Sequence, residues 1–553
     1  MDSAYNQITL LLFATAVLGL LALRLRQPVI IAYILVGILA GPSVLDWVSA
    51  HEPMELLAEI GVTILLFVVG LKLDIKLVRQ LGPVALATGL GQLAFTIVFG
   101  FLICVGLGMD WLRATYVAVA LTFSSTIIIV KLLSDKREID SLHGRIAMGF
   151  LIVQDVAVVV AMMVIGSQGA AGGEASGGAW ISLGEIAAKA VGLALFMFLL
   201  MRYVLPGLLR AMAGSQELLL VFAVGWGASL AAGGEWLGFS KEVGAFVAGF
   251  SLASLPFREA INARMGSLRD FLLLFFFVHL GTQLDLGSLG AEIPSALALS
   301  AFVLIGNPLI VMAIMGFMGY RRRTGFLAGL TVAQISEFSI IFVAMGVTLG
   351  QVDPGALGLV TLVGLVTITL STYMILYSHR LYAWCEPWLG WSERRDPFRE
   401  RAMETPPQPA DVIVFGMGRY GRRLAEHLHA KGVRVIGVDF DPQMQGRAGA
   451  HAGEGAIPIM FGDATDDEFI AHLPIAGVRM VVSTLRDMEA DIRLVSALRR
   501  QGFTGMLAAT AHSPREGKRL HAAGANEVLM PFVDAADHAS QRIAALLATG
   551  GTR

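Results

Sequence analysis

The feature that most constrains this chain is a series of long apolar stretches that follow one another with almost no gap. Residues 1–380 contain about thirteen such stretches, judged by the roughly 20 mostly apolar residues that a spanning helix needs. We predict spans at residues 7–25, 28–45, 56–71, 83–107, 113–133, 145–167, 181–205, 217–234, 240–255, 268–284, 293–319, 324–350 and 355–379. The first stretch lacks a basic leader and a cleavage site, so we expect it to be a retained span. This region is therefore predicted to be a polytopic α-helical membrane domain.

The residue composition supports a membrane location. Only 15% of the residues are charged and 56% are hydrophobic, whereas a soluble domain has roughly a quarter charged residues. The two cysteines, Cys104 and Cys385, lie in or beside apolar segments and indicate neither a disulfide framework nor a zinc site. The composition therefore excludes a soluble enzyme and a disulfide-rich secreted domain.

Basic residues alternate between successive connections, which predicts the orientation of the chain. Cytoplasmic loops carry the excess of Lys and Arg in membrane proteins. The odd-numbered connections hold Arg24, Arg26, Lys72, Lys76, Arg79, Lys131, Lys136, Arg137, Arg145, Arg202, Arg210, Arg258, Arg264, Arg269, Arg321, Arg322 and Arg323. The even-numbered connections are nearly free of them, with Lys241 as the exception. We therefore expect an odd number of spans in the plasma (inner) membrane, with the N-terminus outside and the C-terminus in the cytoplasm.

The composition changes after Tyr377. Residues 381–410 are rich in Arg, Glu and Trp and end in a proline cluster, which is typical of an interfacial helix and a linker. Residues 411–553 alternate short apolar runs with helical patterns, and their length suits one α/β domain. We predict a cytoplasmic Rossmann-like domain over that range.

A glycine-rich turn follows the first apolar run of this domain. The run at residues 411–415 is followed by Gly416, Gly418 and Gly421, then by a helical pattern and a second strand that ends in Asp439. The first glycine permits the tight turn, the second lets a phosphate approach the backbone, and the third allows the helix to pack on the strand. A carboxylate at Asp439 is placed to accept hydrogen bonds from ribose hydroxyls. The alternative is that the glycines only shape a turn and the domain binds no nucleotide.

Further strands are predicted at residues 457–461, 480–484, 507–510 and 527–530. With the glycine turn and the later Gly462–Thr465, this pattern resembles the regulator-of-potassium-conductance domains, which bind AMP, ATP or NAD(H) and gate potassium transporters and channels. The resemblance implies an adenine nucleotide, AMP or NAD(H), as a regulatory ligand, domain dimerisation and no redox cofactor. The implied binding residues are Gly416, Gly418, Arg419, Tyr420, Gly421, Asp439, Phe440, Asp463, Ala464 and Thr465. Arg419 is equally compatible with a phosphate contact and with a solvated charge.

Within the predicted spans, ionisable side chains are costly and are functional candidates by default. Asp155 lies in the sixth span among apolar residues, with Gln154 beside it. A buried carboxylate there can hold a proton or a monovalent cation but not both, and that competition is sufficient chemistry for exchange. The alternative is a structural carboxylate that caps a helix or is ion-paired.

Two other spans carry polar clusters in their interiors. The fifth contains Ser124, Ser125 and Thr126, and the twelfth contains Gln334 and Glu337 with neighbouring serines. Hydroxyl side chains compete with backbone hydrogen bonds, and non-helical backbone is tolerated where it lines a cavity. Because these spans are an odd number apart, they run in opposite directions, as an inverted repeat requires. Each cluster by itself could instead serve helix–helix association.

Together these motifs resemble the monovalent cation:proton antiporter-2 family, specifically the Kef-type potassium/proton antiporters, over nearly the whole chain. The residues that carry the resemblance are Ala58–Gly61, Leu65–Phe67, Gly70–Asp74, Leu121–Thr126, Gln154–Asp155, Gly244–Gly249 and Gln334–Phe338. The resemblance implies inverted repeats with crossed broken helices, an elevator mechanism and Asp155 as the carrier of K⁺ or H⁺. The implied ion site comprises Asp155, Gln154, Ser124, Ser125, Thr126 and Glu337. It also implies a homodimer in membrane lipid, with a separate ancillary protein left open.

Electrogenic sodium/proton relatives have two adjacent acids where this chain has Gln154 and Asp155. Some relatives carry a Lys in the eleventh span, where this chain has the stretch Gly306–Pro308 and no Lys. Both differences favour electroneutral exchange, and the first favours potassium. The alternatives are a sodium/proton antiporter of the same fold and a nucleotide-gated potassium channel. A channel is disfavoured because no TVGYG-like filter is present. A membrane oxidoreductase would need a second redox centre, and the sequence shows no signal for one, so we expect no enzyme activity. We also expect no nucleic-acid partner.

Overall fold

A computed structural model describes most of the chain. The described residues are 4–42, 44–47, 51–72, 82–136, 138–139, 141–170, 192, 195, 197–212, 215–237, 240–255, 257–284, 286–394, 410–439, 457–462, 464, 469–470, 473, 475, 477–485 and 487–548. The chain divides into two compact units. One covers residues 1–139 and 143–394, and the other covers residues 140–142 and 395–553.

The first unit is entirely helical in its described residues. Its helices are α1 Ala4–Arg24, α2 Val29–Ala40, α3 His51–Lys72, α4 Gly82–Gly106, α5 Trp111–Ala120, α6 Thr126–Asp135, α7 Leu142–Ala170, α8 Leu205–Met212, α9 Gln216–Trp236, α10 Lys241–Leu252, α11 Arg258–Thr282, α12 Leu286–Ala301, α13 Asn307–Phe317, α14 Arg322–Leu330, α15 Glu337–Thr348, α16 Pro354–Leu376 and α17 Ser378–Cys385. Wider π-helical turns at Leu200–Val204 and Phe302–Gly306 lead into α8 and α13.

Within the described residues, eight helices are long and apolar enough to cross a membrane, and α2 and α15 are shorter apolar helices. The polytopic helical membrane fold is thus confirmed, whereas the count of thirteen spans stays a prediction. Two predicted spans, the fifth and the twelfth, are each divided into two shorter helices, α5 with α6 and α14 with α15. Much of the predicted span 181–205 lies outside the described residues.

Close packing of the short helix α10 against α3 depends on two glycines. A Cβ on Gly249 would overlap the carbonyl oxygen of Phe67, and one on Gly70 would overlap that of Phe246. Small residues allow helix backbones to approach this closely where hydrophobic burial cannot drive association between helices. The glycine pair therefore places α10 directly on the backbone of α3.

Lys241, the exception to the predicted alternation of basic residues, takes part in ion pairs at the start of α10. Its Nζ lies 3.3 Å from Glu59 Oε2 and 3.8 Å from Glu235 Oε1. These two carboxylates belong to α3 and to α9, so the lysine bridges three helices. Its positive charge is therefore locally balanced by acidic partners.

On the connection between α6 and α7, Glu138 is the centre of a polar cluster. Its carboxylate contacts His379 Nε2 at 2.7 Å, Lys136 Nζ at 2.9 Å and His143 Nε2 at 3.3 Å. Although burial opposes it, hydrogen bonds from the two histidines and the charge of Lys136 hold the pKa of Glu138 well below its usual range. The cluster ties α7 to the start of α17 through an ionised carboxylate.

After α17, the first unit continues as a 3₁₀ segment at Glu386–Ser392. Trp384, Trp388 and Trp391 are mostly exposed, and the rings of the first two meet edge to face with centroids 5.4 Å apart. Exposed tryptophans of this kind suit a membrane–water interface, where one end of the ring is apolar and the other is wet. The interfacial helix expected over residues 381–410 stays a prediction.

In the second unit, the strands are β1 Val412–Phe415, β2 Val435–Asp439, β3 Ile459–Phe461, β4 Met480–Ser483, β5 Met506–Thr510 and β6 Glu527–Leu529. They form a parallel sheet in the order β3-β2-β1-β4-β5-β6. The helices are α18 Arg419–Ala430, α19 Met488–Arg500, α20 Pro514–Ala523 and α21 Pro531–Ala548. The predicted strands and the Rossmann-like fold are confirmed. The strand order reverses between β1 and β4, which is where ligands bind in sheets of this kind.

Candidate functional site

The first helix break separates α5 from α6. Hydroxyl side chains replace the missing helical hydrogen bonds there, as Thr122 Oγ1 donates to Val119 O at 2.6 Å and Ser125 Oγ accepts from Ile128 N at 3.4 Å. Every residue of the break from 121 to 125 is buried. The hydroxyl cluster therefore does what its residue types predict, since it caps both half-helices inside the bundle.

The second break separates α14 from α15 and is built in the same way. Thr331 Oγ1 donates to Ala328 O at 2.6 Å, Ser336 Oγ accepts from Phe338 N at 3.2 Å, and Ser339 Oγ accepts from Ser336 N at 3.3 Å. These contacts form a capping box at the start of α15. The break begins a half-helix whose N-terminal N–H groups carry a partial positive charge.

The two breaks lie close together. Phe123 in the first break meets Phe342 of α15 edge to face, with ring centroids 6.1 Å apart. Tyr116 of α5 packs on the same ring at 5.4 Å. The two interrupted segments thus share one packed core.

Asp155 lies on α7 beside the first break. Thr126 Oγ1, at the first position of α6, lies 3.1 Å from Asp155 Oδ1 and 3.0 Å from Oδ2. The carboxylate is also within electrostatic range of Glu337 at the second break and of Lys72 at the end of α3. Asp155 keeps partial exposure, whereas Gln154 beside it is buried. A carboxylate next to a hydroxyl and a broken helix offers hard oxygen ligands to a small cation.

Three buried polar atoms at the breaks have no hydrogen-bond partner among the residues that the structure describes. They are Ser124 Oγ, Gln334 Nε2 and Glu337 Oε1, and each residue is at most 2% exposed. The second carboxylate oxygen of Glu337 is contacted by Ser336 Oγ at 3.3 Å. Buried polar atoms are nearly always paired, so these three groups are open to a hydrogen bond or a ligand contact that the protein itself does not supply.

Gln154, predicted as an ion ligand, has its amide engaged by protein groups. Its Oε1 accepts from Ser124 N at 3.0 Å and its Nε2 donates to Gln92 Oε1 at 2.7 Å. Asp155 and Gln154 are therefore neighbours in sequence with different surroundings. No sequence pattern singled out Gln92, although an amide inside a predicted span is the kind of signal that could have.

In the second unit, the glycine turn has the geometry that its motif predicts. Gly416 has φ +83°, which favours glycine, and a Cβ on Gly421 would overlap the carbonyl oxygen of Gly416. A Cβ on Gly418 would meet no atom within 4 Å, so the space in front of it is open. This is the arrangement in which a phosphate can approach the start of α18.

Asp439 ends β2 beside this turn and is 7% exposed. Its Oδ2 accepts a hydrogen bond from the backbone N–H of Met417 at 2.5 Å. The carboxylate thus holds the glycine turn in place while lying where the motif places a ribose partner.

The other predicted nucleotide contacts are only partly described. Arg419 and Tyr420 are exposed at the start of α18, and Ala464 is buried. Partial burial, followed by the charge of Asp534, raises the pKa of the Tyr420 hydroxyl. Phe440, Asp463 and Thr465 lie outside the described residues.

A buried acid that no sequence pattern indicated lies on α19, next to the end of β4. Asp491 of α19 is 1% exposed and accepts a hydrogen bond from Ser483, the last residue of β4. Burial raises the pKa of Asp491 to about 7, against the opposing hydrogen bond from Ser483 and with a further contribution from Asp487. Its charge therefore changes near neutral pH.

This acid gives a pH prediction. Because the folded-state pKa is above that of an unfolded aspartate, the stability it contributes is full below the unfolded pKa and is lost as pH rises through about 7. We expect amide protection of the α19 region, measured by hydrogen exchange in the intact protein and corrected for intrinsic rates, to fall as the pH is raised from 5 to 8. Asp491→Asn should remove this dependence, and exposed Asp537→Asn should keep it. Identical pH profiles in all three proteins would contradict the assignment.

Comparison with known proteins gives two family matches. The sodium/hydrogen exchanger transmembrane family matches residues 9–376, and the TrkA-N domain family matches residues 412–531. The putative K⁺ efflux antiporter KefB of Alkalimonas amylolytica is 26% identical over 97% of this chain and 80% of its own length. The putative cation/proton antiporter YbaL of Escherichia coli K12 is 27% identical over 93% and 92%. The sodium/proton antiporter NhaP1 of Methanocaldococcus jannaschii has a TM-score of 0.43 and 17% identity, covering 70% of this chain and 98% of its own.

Proposed function

This chain belongs to the sodium/hydrogen exchanger family as a Kef-type cation/proton antiporter with a C-terminal TrkA-N domain, and we propose that it exchanges K⁺ for H⁺ under the control of a nucleotide. The observation that carries the proposal is the pairing of Asp155 with Thr126 at a broken helix. The carboxylate binds one proton or one cation at a time, so each loading expels the other.

In this proposal, Thr126, Ser124 and Glu337 contribute oxygen atoms around a K⁺ ion at Asp155. Two of those oxygens, Ser124 Oγ and Glu337 Oε1, have no hydrogen-bond partner in the described part of the chain, which supports a ligand there. Ser125 caps α6 with its hydroxyl and would help through backbone position. Gln154 supports the site through Ser124 rather than through a free amide.

We propose one-for-one, electroneutral exchange. Gln154 is neutral where electrogenic relatives have an acid, and the stretch Gly306–Pro308 holds no charge in the span where some relatives have a lysine. One cation replacing one proton on Asp155 leaves the charge of the carrier unchanged. The preference for potassium rests on this resemblance and on the similarity to a putative K⁺ efflux antiporter, with sodium as the alternative substrate.

The TrkA-N domain is proposed to bind AMP or NAD(H) at the turn Gly416–Gly421. The open space at Gly418, the start of α18 and the carboxylate of Asp439 support a phosphate and a ribose at this edge of the sheet. An acid at Asp439 disfavours a 2′-phosphate by charge repulsion. We propose that the nucleotide regulates transport and takes no part in a chemical reaction, as the resemblance to regulator-of-potassium-conductance domains implies.

Several properties of the assembly follow from the family resemblance and stand as proposals. They are an elevator movement of the module that carries the two breaks, a homodimer in the lipid bilayer, and an outside N-terminus with the TrkA-N domain in the cytoplasm. The alternation of Lys and Arg supports the orientation. The binding of an ancillary protein is left to experiment.

The proposal is tested by proton flux in proteoliposomes with a trapped pH dye, on adding K⁺, Na⁺ or Li⁺ with and without AMP or NADH. A K⁺-dependent flux that is insensitive to membrane potential and altered by nucleotide is the expected result. A response to Na⁺ alone would contradict potassium as the substrate, but the protein would still be a cation/proton antiporter. A K⁺ current without proton movement would favour the channel.

A further inference from the structure

One chain of buried hydrogen bonds runs from the first helix break to the second. It starts at the N–H of Ser124, which donates to Gln154 Oε1 at 3.0 Å, and Gln154 Nε2 donates to Gln92 Oε1 at 2.7 Å. Gln92 Nε2 then donates to Thr96 Oγ1 at 3.1 Å. Gln154 lies on α7, and Gln92 and Thr96 lie on α4, so these side chains belong to helices other than those of the breaks.

The chain continues into the second break. Thr96 Oγ1 donates to Asn307 Oδ1 at 2.7 Å, and Asn307 Nδ2 donates to Val332 O at 3.4 Å. Every hydrogen bond runs in the same donor-to-acceptor direction, and every residue along it is 0–1% exposed. Hydrogen bonds aligned in this way polarise and strengthen one another in a low-dielectric interior.

The two ends of this series of hydrogen bonds lie at backbone groups that have no helical partner. Ser124 lies just before the N-cap of α6, where N–H groups lack helical partners, and Val332 follows the end of α14, where C=O groups lack them. Gln92 also donates to Thr122 O at 3.4 Å, so the first break is held at a second backbone group. The side chains therefore satisfy free backbone groups of both breaks with one connected set.

Local structure places these side chains for the task. Gln92 and Thr96 are four residues apart on α4 and thus share one helix face. Asn307 begins α13 directly after the π-helical turn Phe302–Gly306, and such turns often mark functional sites. A Cβ on Gly329 of α14 would lie 2.8 Å from the carbonyl oxygen of Pro308, so α14 approaches the start of α13 closely.

We propose that Gln92, Thr96 and Asn307 act with Gln154 as a neutral positioning relay that fixes the two helix breaks relative to each other and thereby sets the cation affinity of the site at Asp155. The relay holds the backbone of Thr122 and Ser124, four and two residues before Thr126, which contacts Asp155 directly. Because all four side chains are uncharged, the relay persists whether Asp155 holds a proton or a cation. The inference rests on the proposed exchange at Asp155.

The deciding experiment compares Thr96→Val with Thr88→Val in proteoliposome exchange. Both threonines are fully buried on α4, but within the part of the chain that the structure describes Thr88 Oγ1 makes a single contact, 4.0 Å from the sulfur of Met318. Without the Thr96 hydroxyl, Asn307 Oδ1 loses its donor and Gln92 Nε2 keeps only the longer bond to Thr122 O, so we expect the KM for the cation to rise roughly tenfold. Thr96→Ser, which restores the hydroxyl, should return KM to the wild-type value, and Thr88→Val should leave it unchanged.

A double-substitution cycle tests continuity of the relay. Thr96→Val combined with Asn307→Leu should raise KM no further than the larger single change, because either breaks the same chain. Since KM does not depend on how much protein folds, reduced reconstitution does not imitate the effect. If Thr96→Val yields no folded protein, Thr96→Ala takes its place, as it removes the hydroxyl without adding a methyl group.

The outcomes separate the relay from the proposed function. If the wild-type protein shows no cation-dependent proton flux, the proposed exchange is contradicted, and the relay with it. Wild-type flux with unchanged KM in Thr96→Val, or equal rises in Thr96→Val and Thr88→Val, would overturn the relay and leave the exchange intact. Additive effects in the double variant would show that Thr96 and Asn307 act separately and would also overturn it.

Discussion

Asp155→Asn is expected to abolish cation/proton exchange, lowering the initial rate by about 100-fold or more, since a group that exchanges protons directly typically contributes that much or more. Asparagine matches the shape of aspartate, so the contact with Thr126 can persist while the site loses its charge and its proton. The measurement is dye-reported proton flux in proteoliposomes on addition of K⁺ or Na⁺.

The matched control is Asp110→Asn. Asp110 caps α5 by accepting hydrogen bonds from Leu112 N and Arg113 N, and asparagine caps helices equally well. This variant should transport at the wild-type rate. Exchange by Asp155→Asn at a rate close to that of Asp110→Asn would remove Asp155 from the carrier role.

Asp439→Ala is expected to weaken nucleotide binding by about 10- to 100-fold, the range for losing a hydrogen bond to a charged group. The change removes the partner of Met417 N, which shapes the glycine turn, and also the proposed acceptor for the ribose hydroxyls. Titration calorimetry of the detergent-solubilised full-length protein with AMP and with NADH measures the effect. An unchanged affinity for both would place the ligand elsewhere.

Asp411→Ala is the control for this prediction. Asp411 precedes β1, at the opposite end of the strand from the glycine turn, and pairs with Arg434 at 2.9 Å. Hydrogen bonds from Arg434 lower the pKa of Asp411 to about 2, so this carboxyl is ionised at neutral pH. Losing an exposed ion pair has a small effect on stability. A comparable loss of affinity in Asp411→Ala would show that the effect of Asp439→Ala is a general effect of charge.

Local sequence patterns predicted a large part of the architecture. The strands of the TrkA-N domain were predicted because buried parallel strands are short, continuous apolar runs, and β1 with its glycine turn is such a run. The breaks after Ala120 and Leu330 were predicted because hydroxyl residues that disrupt a helix act on backbone groups a few residues away. The number of spans was less accessible, since α2 and α15 are shorter than a spanning helix.

Only part of the candidate site could be predicted from the sequence. Asp155 stood out because an isolated acid in an apolar span needs an explanation. Gln154 was predicted as a ligand, yet its amide is bound to Ser124 and to Gln92, which lies 62 residues away. Whether a polar side chain faces an ion or a neighbouring helix depends on packing that periodicity does not specify.

The sequence by itself determined a helical membrane protein with a carboxylate at Asp155, two interrupted spans and a Rossmann-like domain, because hydrophobicity, hydroxyl clusters and glycine turns act over short distances. Only the tertiary structure decided which buried polar groups pair with one another. Thr96 and Asn307 are 211 residues apart, and Ser483 and Asp491 meet through the packing of α19 on β4. Buried polar groups must find partners wherever the fold provides them, so their pairing is a property of the packed molecule and not of the local chain.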